Sequence, residues 1–516
     1  MLPTFTPEPY VDFNQSQPRE LMLAALKQVR GELGKSYTLW LNGEPVTTRE
    51  TFSSTSPADP DRVIGVMSKA NVDQADQAIR AAAEAFKTWS RVDPEVRARV
   101  LIKGAAIMRR RLYELSAWQC FEESKSWIEA YADVCEAIDF LDFYGREMVR
   151  LAGSHPVTPF PGEENELRYV PLGVGVVIPP WNFPLAICAG MATAAIVTGN
   201  TVVLKPASAA PVVAAKFVEI MHEAGLPKNV LNFLPGPGPS IGDALVCHPL
   251  TRFISFTGSR EVGIGVFAKA AQVQPGQIWL KRTVLEMGGK NCIVVDETAD
   301  LSAAAEGVVA AAFGFQGQKC SACSRLIAHQ DIYDDLLERV VARSRELTIG
   351  DTTATDNLFM GAVIDKNAHN KITEYISIGK SEGRVVLGGT KIPDKGYFVP
   401  PTIIADVAPN ARLAQEEIFG PVLAVIKAKD FDDGLQIANG TDYGLTGGLF
   451  SRDRFRLERA RHEFHVGNLY LNRKCTGALV DVQPFGGFNM SGTDSKAGGR
   501  DYLQLFLQGK SITERL

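Results

Sequence analysis

From Tyr169 to Leu204 the sequence carries no Asp, Glu, Lys or Arg, and this stretch constrains the fold more than any other. So long an uncharged run must be buried, either in lipid or in protein. Pro171, Pro179, Pro180 and Pro184, with a Gly199-Asn200 turn, interrupt it, and a continuous bilayer-spanning helix tolerates such breaks poorly. The stretch resolves instead into a β-branched strand, Gly175–Ile178, a proline-bounded loop, an Ala-rich helix, Leu185–Val197, and a second strand, Thr201–Leu204. Strands that are apolar throughout and alternate with helices predict a parallel sheet covered on both faces.

The alternation continues through a helix at Val212–Ala224, a strand at Val230–Leu234 and a short helix near Ile241–Val246. Phe253–Phe256, a helix at Glu261–Ala271 and Thr283–Glu286 complete this series. A second series opens at Cys292–Val295 and the helix Leu301–Ala312. Val385–Leu387, Val422–Ile426 and Gly467–Leu471 read as its later strands, and Arg452–Glu463 as a helix. Ahead of both, Ala75–Trp89, Pro94–Tyr113 and Glu129–Arg146 are amphipathic and charged, which predicts a mostly helical opening region. The fold class is therefore α/β, with two doubly wound domains meeting near Gly288-Gly289. At about 150 residues per domain, the chain leaves room for a third, small unit, for which Gly153–Arg168, rich in Pro, Gly and acids, is the projecting candidate.

Charge narrows the function. Lys and Arg total 54 against 59 Asp and Glu, a net charge of −5, with no long basic run, so a nucleic-acid surface is not expected. Most of the eight cysteines are isolated, several within apolar runs, the usage of a reducing compartment. The N-terminus has neither a basic segment nor an apolar core for export. These features predict a cytoplasmic enzyme without a membrane segment.

Several familiar patterns fail on spacing. Gly173-Val174-Gly175 has Ile178 where a third glycine belongs. Gly238–Gly242 spells G-x-S-x-G, but Pro235, Pro237 and Pro239 crowd the approach that a nucleophile elbow needs. His462 and His465 are three residues apart rather than the four that place two histidines around zinc. Cys320 and Cys323 have no second CxxC for a thiolate metal site, so no metal is expected.

Four segments carry chemistry. Cys320 follows Phe313-Gly314-Phe315-Gln316-Gly317-Gln318-Lys319, which reads as a polar, backbone-exposed loop whose Lys319 favours the thiolate; a nucleophile and an inert thiol both remain open. Glu286 ends a buried strand beside Gly288-Gly289, as a general base or as the partner of Lys290. Asn182, in the rigid loop after a strand, is either an oxyanion donor or a turn residue. Phe256-Thr257-Gly258-Ser259 opens a helix whose N–H groups attract phosphate, and Lys205 and Ser208 offer a cation and a hydroxyl to a ribose. Together the last two fit a dinucleotide across the C-terminal edge of the sheet.

With these residues gathered, the chain resembles the aldehyde dehydrogenases through PWNFP (Pro180–Pro184), KPAS (Lys205–Ser208), FTGS (Phe256–Ser259), EMGGK (Glu286–Lys290), GQKC (Gly317–Cys320) and EEIFGPV (Glu416–Val422). The resemblance implies a Rossmann-like NAD domain (1–151 and 170–288), a catalytic domain (289–488) and a β oligomerisation flap (152–169 and 489–516). It implies Cys320 as nucleophile, Asn182 with the Cys320 N–H as oxyanion donors, and Glu286 as the base that activates water. Ile178, Trp181, Lys205, Ser208, Gly238, Ser259, Glu417 and Phe419 would bind the cofactor. Met287 stands where the motif commonly has Leu. Ser208 stands where many NAD-specific relatives carry a Glu that repels a 2′-phosphate, which leaves NADP open beside NAD.

Phe464–Ala478, Gln483–Phe488, Ser491–Lys496 and Gly317–Ala322 are similar to the 1-pyrroline-5-carboxylate dehydrogenase branch of that family. That similarity implies NAD-dependent oxidation of L-glutamate γ-semialdehyde to L-glutamate in proline breakdown. The carboxylate would be held by Gly477, Ala478 and Ser321, and the aliphatic chain walled by Phe183 and Phe485. It further implies a homodimer or higher homo-oligomer, and a separate proline dehydrogenase as the source of substrate. The alternatives are another semialdehyde such as succinate semialdehyde, or, from a different class, a cysteine hydrolase.

Overall fold

The computed structural model describes residues 4–153, 155–388 and 392–516. It is an α/β protein with two large mixed sheets of seven strands each. In the first, five parallel strands stand in the order Arg282–Glu286, Thr251–Thr257, Val174–Ile178, Thr201–Leu204 and Leu231–Phe233. The hairpin Leu39–Leu41 and Glu44–Val46 extends it antiparallel. The second sheet runs Thr402–Ala405, Val422–Ala428, Arg325–His329, Cys292–Val295, Thr446–Phe450 and Asn468–Leu471 in parallel, with Arg384–Leu387 antiparallel at one edge.

The uncharged strands are explained by what covers them. Val177, Val202, Leu204 and Phe253 enter one core, while Val176, Val203 and Ile254 enter the core on the opposite face. The second sheet divides likewise, with Ile293 and Leu326 on one side and Val294 and Ile327 on the other. Both faces of each central strand are dry, so successive side chains are all apolar. Gly175 is the exception that packing requires: a Cβ there would lie 2.0 Å from the Phe253 ring. No helix among the described residues is long and apolar enough to cross a membrane.

Three expectations change. The sheets are mixed, because each takes an antiparallel strand at an edge. The opening region is mostly helical, as expected, but it also holds a sheet that was not read: Lys35–Tyr37, Asp59–Ser68 and Thr51–Ser56 form a separate three-stranded sheet. The helix expected at Pro94–Tyr113 breaks at Arg111, giving Pro94–Arg110 and Leu112–Glu122. Residues 163–171 pair antiparallel with Leu507–Arg515 in a two-stranded ribbon. Between catalytic and ribbon segments the chain returns to the first sheet, where the Met287 N–H donates to Ser491 O and the Thr493 N–H to Leu285 O, and Tyr502, Leu503 and Phe506 enter its core.

This arrangement sets two kinds of strand end against each other. The first sheet delivers its C-terminal ends at Ile178, Leu204, Thr257 and Glu286. The second begins the strands Cys292–Val295, Arg325–His329 and Thr446–Phe450 from the loops facing them. Loops from both meet in one cleft.

Candidate active site

Cys320 lies where two cavities meet. One, of about 890 Å³, follows the C-terminal edge of the first sheet; the other, of about 130 Å³, lies behind the thiol. Cys320, Thr257, Met287 and Ile187 line both. The loop leading to the cysteine is wound left-handed, with φ of 48° at Phe315, 55° at Gln316 and 67° at Gly317. Backbone of this kind is costly and persists only when its surroundings enforce it. Here Gln316 Nε2 donates to the carbonyls of Ser124 and Ala362 at 3.1 and 2.8 Å, and a Cβ on Gly317 would collide with the Gly420 carbonyl.

The thiol sits in an acidic field. Burial, then Glu417 and Glu286, push Cys320 up to about 12, while the Ser321 backbone N–H pulls it down. The resting group is therefore a thiol. Glu286, at the end of its strand, is pushed up to about 8 by burial, against the opposing Ser495 hydroxyl and the charge of Lys496. The Ser495 hydroxyl donates to Glu286 Oε1, and among the described residues Glu286 Oε2 has no hydrogen-bond partner. That oxygen belongs to a side chain that lines the smaller cavity with Cys320, and it is itself buried.

Asn182 is buried and spends one amide hydrogen on the Gln318 carbonyl at 3.0 Å. An Asn amide carries two, and its side chain lines the larger cavity alongside Cys320.

The smaller cavity combines aromatic walls with polar backbone. Phe183, Phe485, Phe140 and Tyr502 wall it, and Ser321, Gly477 and Ala478 line it. Gly477 has φ of +78°, which glycine adopts readily. Arg473 Nη2 holds the carbonyls of Thr476 and Gly477 at 2.9 and 3.1 Å. Each carbonyl shares a planar trans peptide with the next N–H, so the N–H groups of Gly477 and Ala478 face the other way. Paired N–H groups of this type attract carboxylates.

The larger cavity fits a dinucleotide. Of the residues expected at the cofactor, Ile178, Trp181, Lys205, Gly238, Ser259, Glu417 and Phe419 line it and Ser208 does not. Lys205 is buried with only the Pro206 carbonyl as acceptor at 3.2 Å, and burial lowers it to about 8; an incoming ribose hydroxyl would satisfy it. Ser259 caps the helix Arg260–Ala270, which directs its free N–H groups toward the cavity wall. Glu417 accepts from the Gly289 N–H at 2.9 Å, and any Cβ on Gly288 would overlap its carboxylate. Ser208, at the adjoining turn, donates to the Gly236 carbonyl at 3.3 Å.

Three sequence readings of this site are corrected. The Phe313–Gln318 loop is enclosed rather than exposed, because its glutamines bond to backbone from distant segments. Lys319 does not serve the thiolate: its ammonium pairs with Glu129 at 2.6 Å. Glu286 is not paired with Lys290, whose buried Nζ has no hydrogen-bond partner among the described residues. The helix expected at Glu129–Arg146 runs from Trp127 to Leu151, is largely buried, and supplies Glu129 and Glu136 to the smaller cavity. Burial pushes Glu136 up to about 8. Tyr10 lines the same cavity from the N-terminal segment, which carries no motif.

A free cysteine between a dinucleotide-sized cleft and a small aromatic-walled cavity suits an aldehyde-oxidising class, and the comparisons show the family. The family model described as "Aldehyde dehydrogenase family" matches residues 44–512, and the chain belongs to that family. Within it, the chain is 59% identical over 514 residues to the 1-pyrroline-5-carboxylate dehydrogenase of Geobacillus kaustophilus, covering all of both chains. It is 52% identical, with a TM-score of 0.98 and complete coverage of both chains, to the crystal structure of 1-pyrroline-5-carboxylate dehydrogenase from Thermus with bound NAD. It is also similar to proline utilization A from Bdellovibrio bacteriovorus (45% identity, TM-score 0.97), covering 99% of this chain and 53% of that one.

Proposed function

We propose that this chain oxidises L-glutamate γ-semialdehyde, the open form of 1-pyrroline-5-carboxylate, to L-glutamate with NAD. The observation that carries the reading is the smaller cavity: a thiol at one end, and at the other the Gly477 and Ala478 N–H groups turned inward by Arg473 beside the Ser321 hydroxyl. The substrate carboxylate binds there, Phe183 and Phe485 enclose its methylenes, and Glu136 faces its ammonium group. In the larger cavity, Lys205 faces the adenosine ribose, Gly238 the adenine, Ser259 the pyrophosphate and Glu417 the nicotinamide ribose, with Ile178, Trp181 and Phe419 as apolar walls; Ser208 does not line that cavity and donates instead to the Gly236 carbonyl.

The Cys320 sulfur attacks the aldehyde carbon as its proton departs to Glu286, giving a thiohemiacetal. Asn182 Nδ2 and the Cys320 N–H hold the developing oxyanion in a site shielded from water. NAD held in the larger cavity would supply the hydride acceptor, and loss of hydride from the thiohemiacetal carbon leaves a thioester on Cys320. Glu286 passes the thiol proton to solvent and, ionised again, takes a proton from water; the hydroxide adds to the thioester carbon, and the C–S bond breaks to release glutamate and the Cys320 thiolate.

Residues 1–151 and 170–288 would carry the cofactor, 289–488 the nucleophile, and the segments 152–169 and 489–516 would join copies into a homodimer or larger homo-oligomer. A separate proline dehydrogenase would supply the substrate, and the reducing compartment suits the free thiol.

The test is NADH formation from 1-pyrroline-5-carboxylate compared with succinate semialdehyde and a simple aliphatic aldehyde. A clear preference in kcat/KM for the first is expected; equal or better turnover of the others refutes the substrate. Arg473→Met frees the two carbonyls, so KM for 1-pyrroline-5-carboxylate should rise roughly 10-fold with kcat little changed, as loss of one charge-assisted contact implies. Glu286 acts as a base only when ionised. With its carboxyl at about 8, kcat should rise about 10-fold from pH 7 to pH 9 and then level. A flat profile would remove Glu286 from the rate-limiting step.

A further inference from the structure

Asn291 follows the Gly288-Gly289-Lys290 turn and precedes the strand Cys292–Val295. It is buried, and its side chain makes three hydrogen bonds, all to backbone. Nδ2 donates to the Cys320 carbonyl at 2.7 Å and to the Ala322 carbonyl at 3.0 Å, which uses both amide hydrogens. Oδ1 accepts from the Thr446 N–H at 3.0 Å, at the start of the neighbouring strand. Its own carbonyl accepts from Ser324 and Arg325. One side chain thus fastens the cysteine loop to two strands of the second sheet.

The first of these contacts bears on the chemistry. The Cys320 carbonyl and the Ser321 N–H belong to a single planar trans peptide, so fixing the direction of one fixes the opposite direction of the other. That N–H is the backbone donor that draws the Cys320 thiol down from where burial puts it. A hydrogen bond to the carbonyl end also polarises the peptide and strengthens the donor at the other end. The remaining room for rotation is closed from behind: a Cβ at Gly289 would lie 2.6 Å from the Cys320 carbonyl. Thr446 Oγ1 meets the next carbonyl, that of Ser321, at 3.3 Å.

We propose that Asn291 is a positioning residue for the nucleophile: it locks the Cys320–Ser321 peptide so that the Ser321 N–H stays aimed at the Cys320 sulfur and stabilises the thiolate as it forms. The proposal rests on Cys320 being the nucleophile. Asn291 touches neither cavity-borne ligand nor reacting atom, and its effect reaches the sulfur through one peptide unit.

The readout is alkylation of Cys320 by iodoacetamide, followed peptide by peptide with mass spectrometry across pH 7–9.5 in the full-length protein. Below the pKa of the thiol, the rate scales with the thiolate fraction, so log rate against pH is a rising line. In Asn291→Ala that line should fall by roughly 10-fold at every pH, the weight of one hydrogen bond to a charged group. Asn291→Ser keeps an acceptor for Thr446 and one hydrogen to donate, and should fall between Ala and the parent. Calorimetric NAD affinity should be unchanged in both, and kcat should drop more than KM rises. If Asn291→Ala unfolds, the Ser variant decides alone. Parent-like alkylation lines in a folded variant overturn the proposal. Alkylation needs no substrate, so a failure of the semialdehyde assay leaves this test standing, and the reverse also holds.

Discussion

Cys320→Ser should reduce NADH formation by roughly four orders of magnitude or more, the scale at which loss of a covalent nucleophile is felt. A serine hydroxyl is a far weaker nucleophile than a thiolate, and no charged lysine or histidine stands ready to activate it: Lys319 is committed to Glu129. The substitution removes little volume from a side chain that is only partly enclosed, so unfolding midpoint and NAD affinity should match the parent. Residual turnover above a few per cent would mean that another group bonds to the aldehyde carbon.

Glu286→Gln should have the second largest effect, of a different kind. The amide is nearly isosteric and can still accept from Ser495, so the strand end and the Ser491–Thr493 return remain in place. It cannot take a proton from water. Hydrolysis of the thioester should slow by roughly 10²- to 10⁴-fold, and if hydride transfer is less affected, NADH should appear as a burst of one equivalent per subunit followed by a stall. A uniform slowing without a burst would place Glu286 in thiol activation alone.

The two cores were legible in the sequence because dry central strands leave unbroken apolar runs, and helices between them end at Gly225 or at prolines. Strands with a wet face left no such trace. The hairpin at Leu39–Val46 was not read, although Asn42-Gly43, with φ values of 53° and 75°, suits a tight two-residue turn between strands. The long ribbon strands 163–171 and 507–515 alternate charges on both faces and read as loops until they pair.

The site divides in the same way. Cys320, Glu286, Asn182, Lys205 and Glu417 sit in compact motifs, where glycine or proline beside a polar residue betrays a close approach. Glu136 and Asn291 act through a cavity or carbonyls supplied by segments far apart in the chain, so spacing along the sequence carries no sign of them, and Arg473 acts on nearby carbonyls that no motif marks. Burial misled in both directions. The glutamines of the cysteine loop are hidden by bonds to Ser124, Ala362 and Ile364, and the acidic residues of the helix Trp127–Leu151 face inward to a cavity.

The most direct test is peptide-level mass spectrometry of Glu286→Gln quenched in acid after mixing with 1-pyrroline-5-carboxylate and NAD. A glutamyl thioester should be found on Cys320, in amount equal to the NADH formed. NADH without an adduct at Cys320, or an adduct on another residue, would contradict a mechanism in which this thiol carries the acyl group between the two cavities.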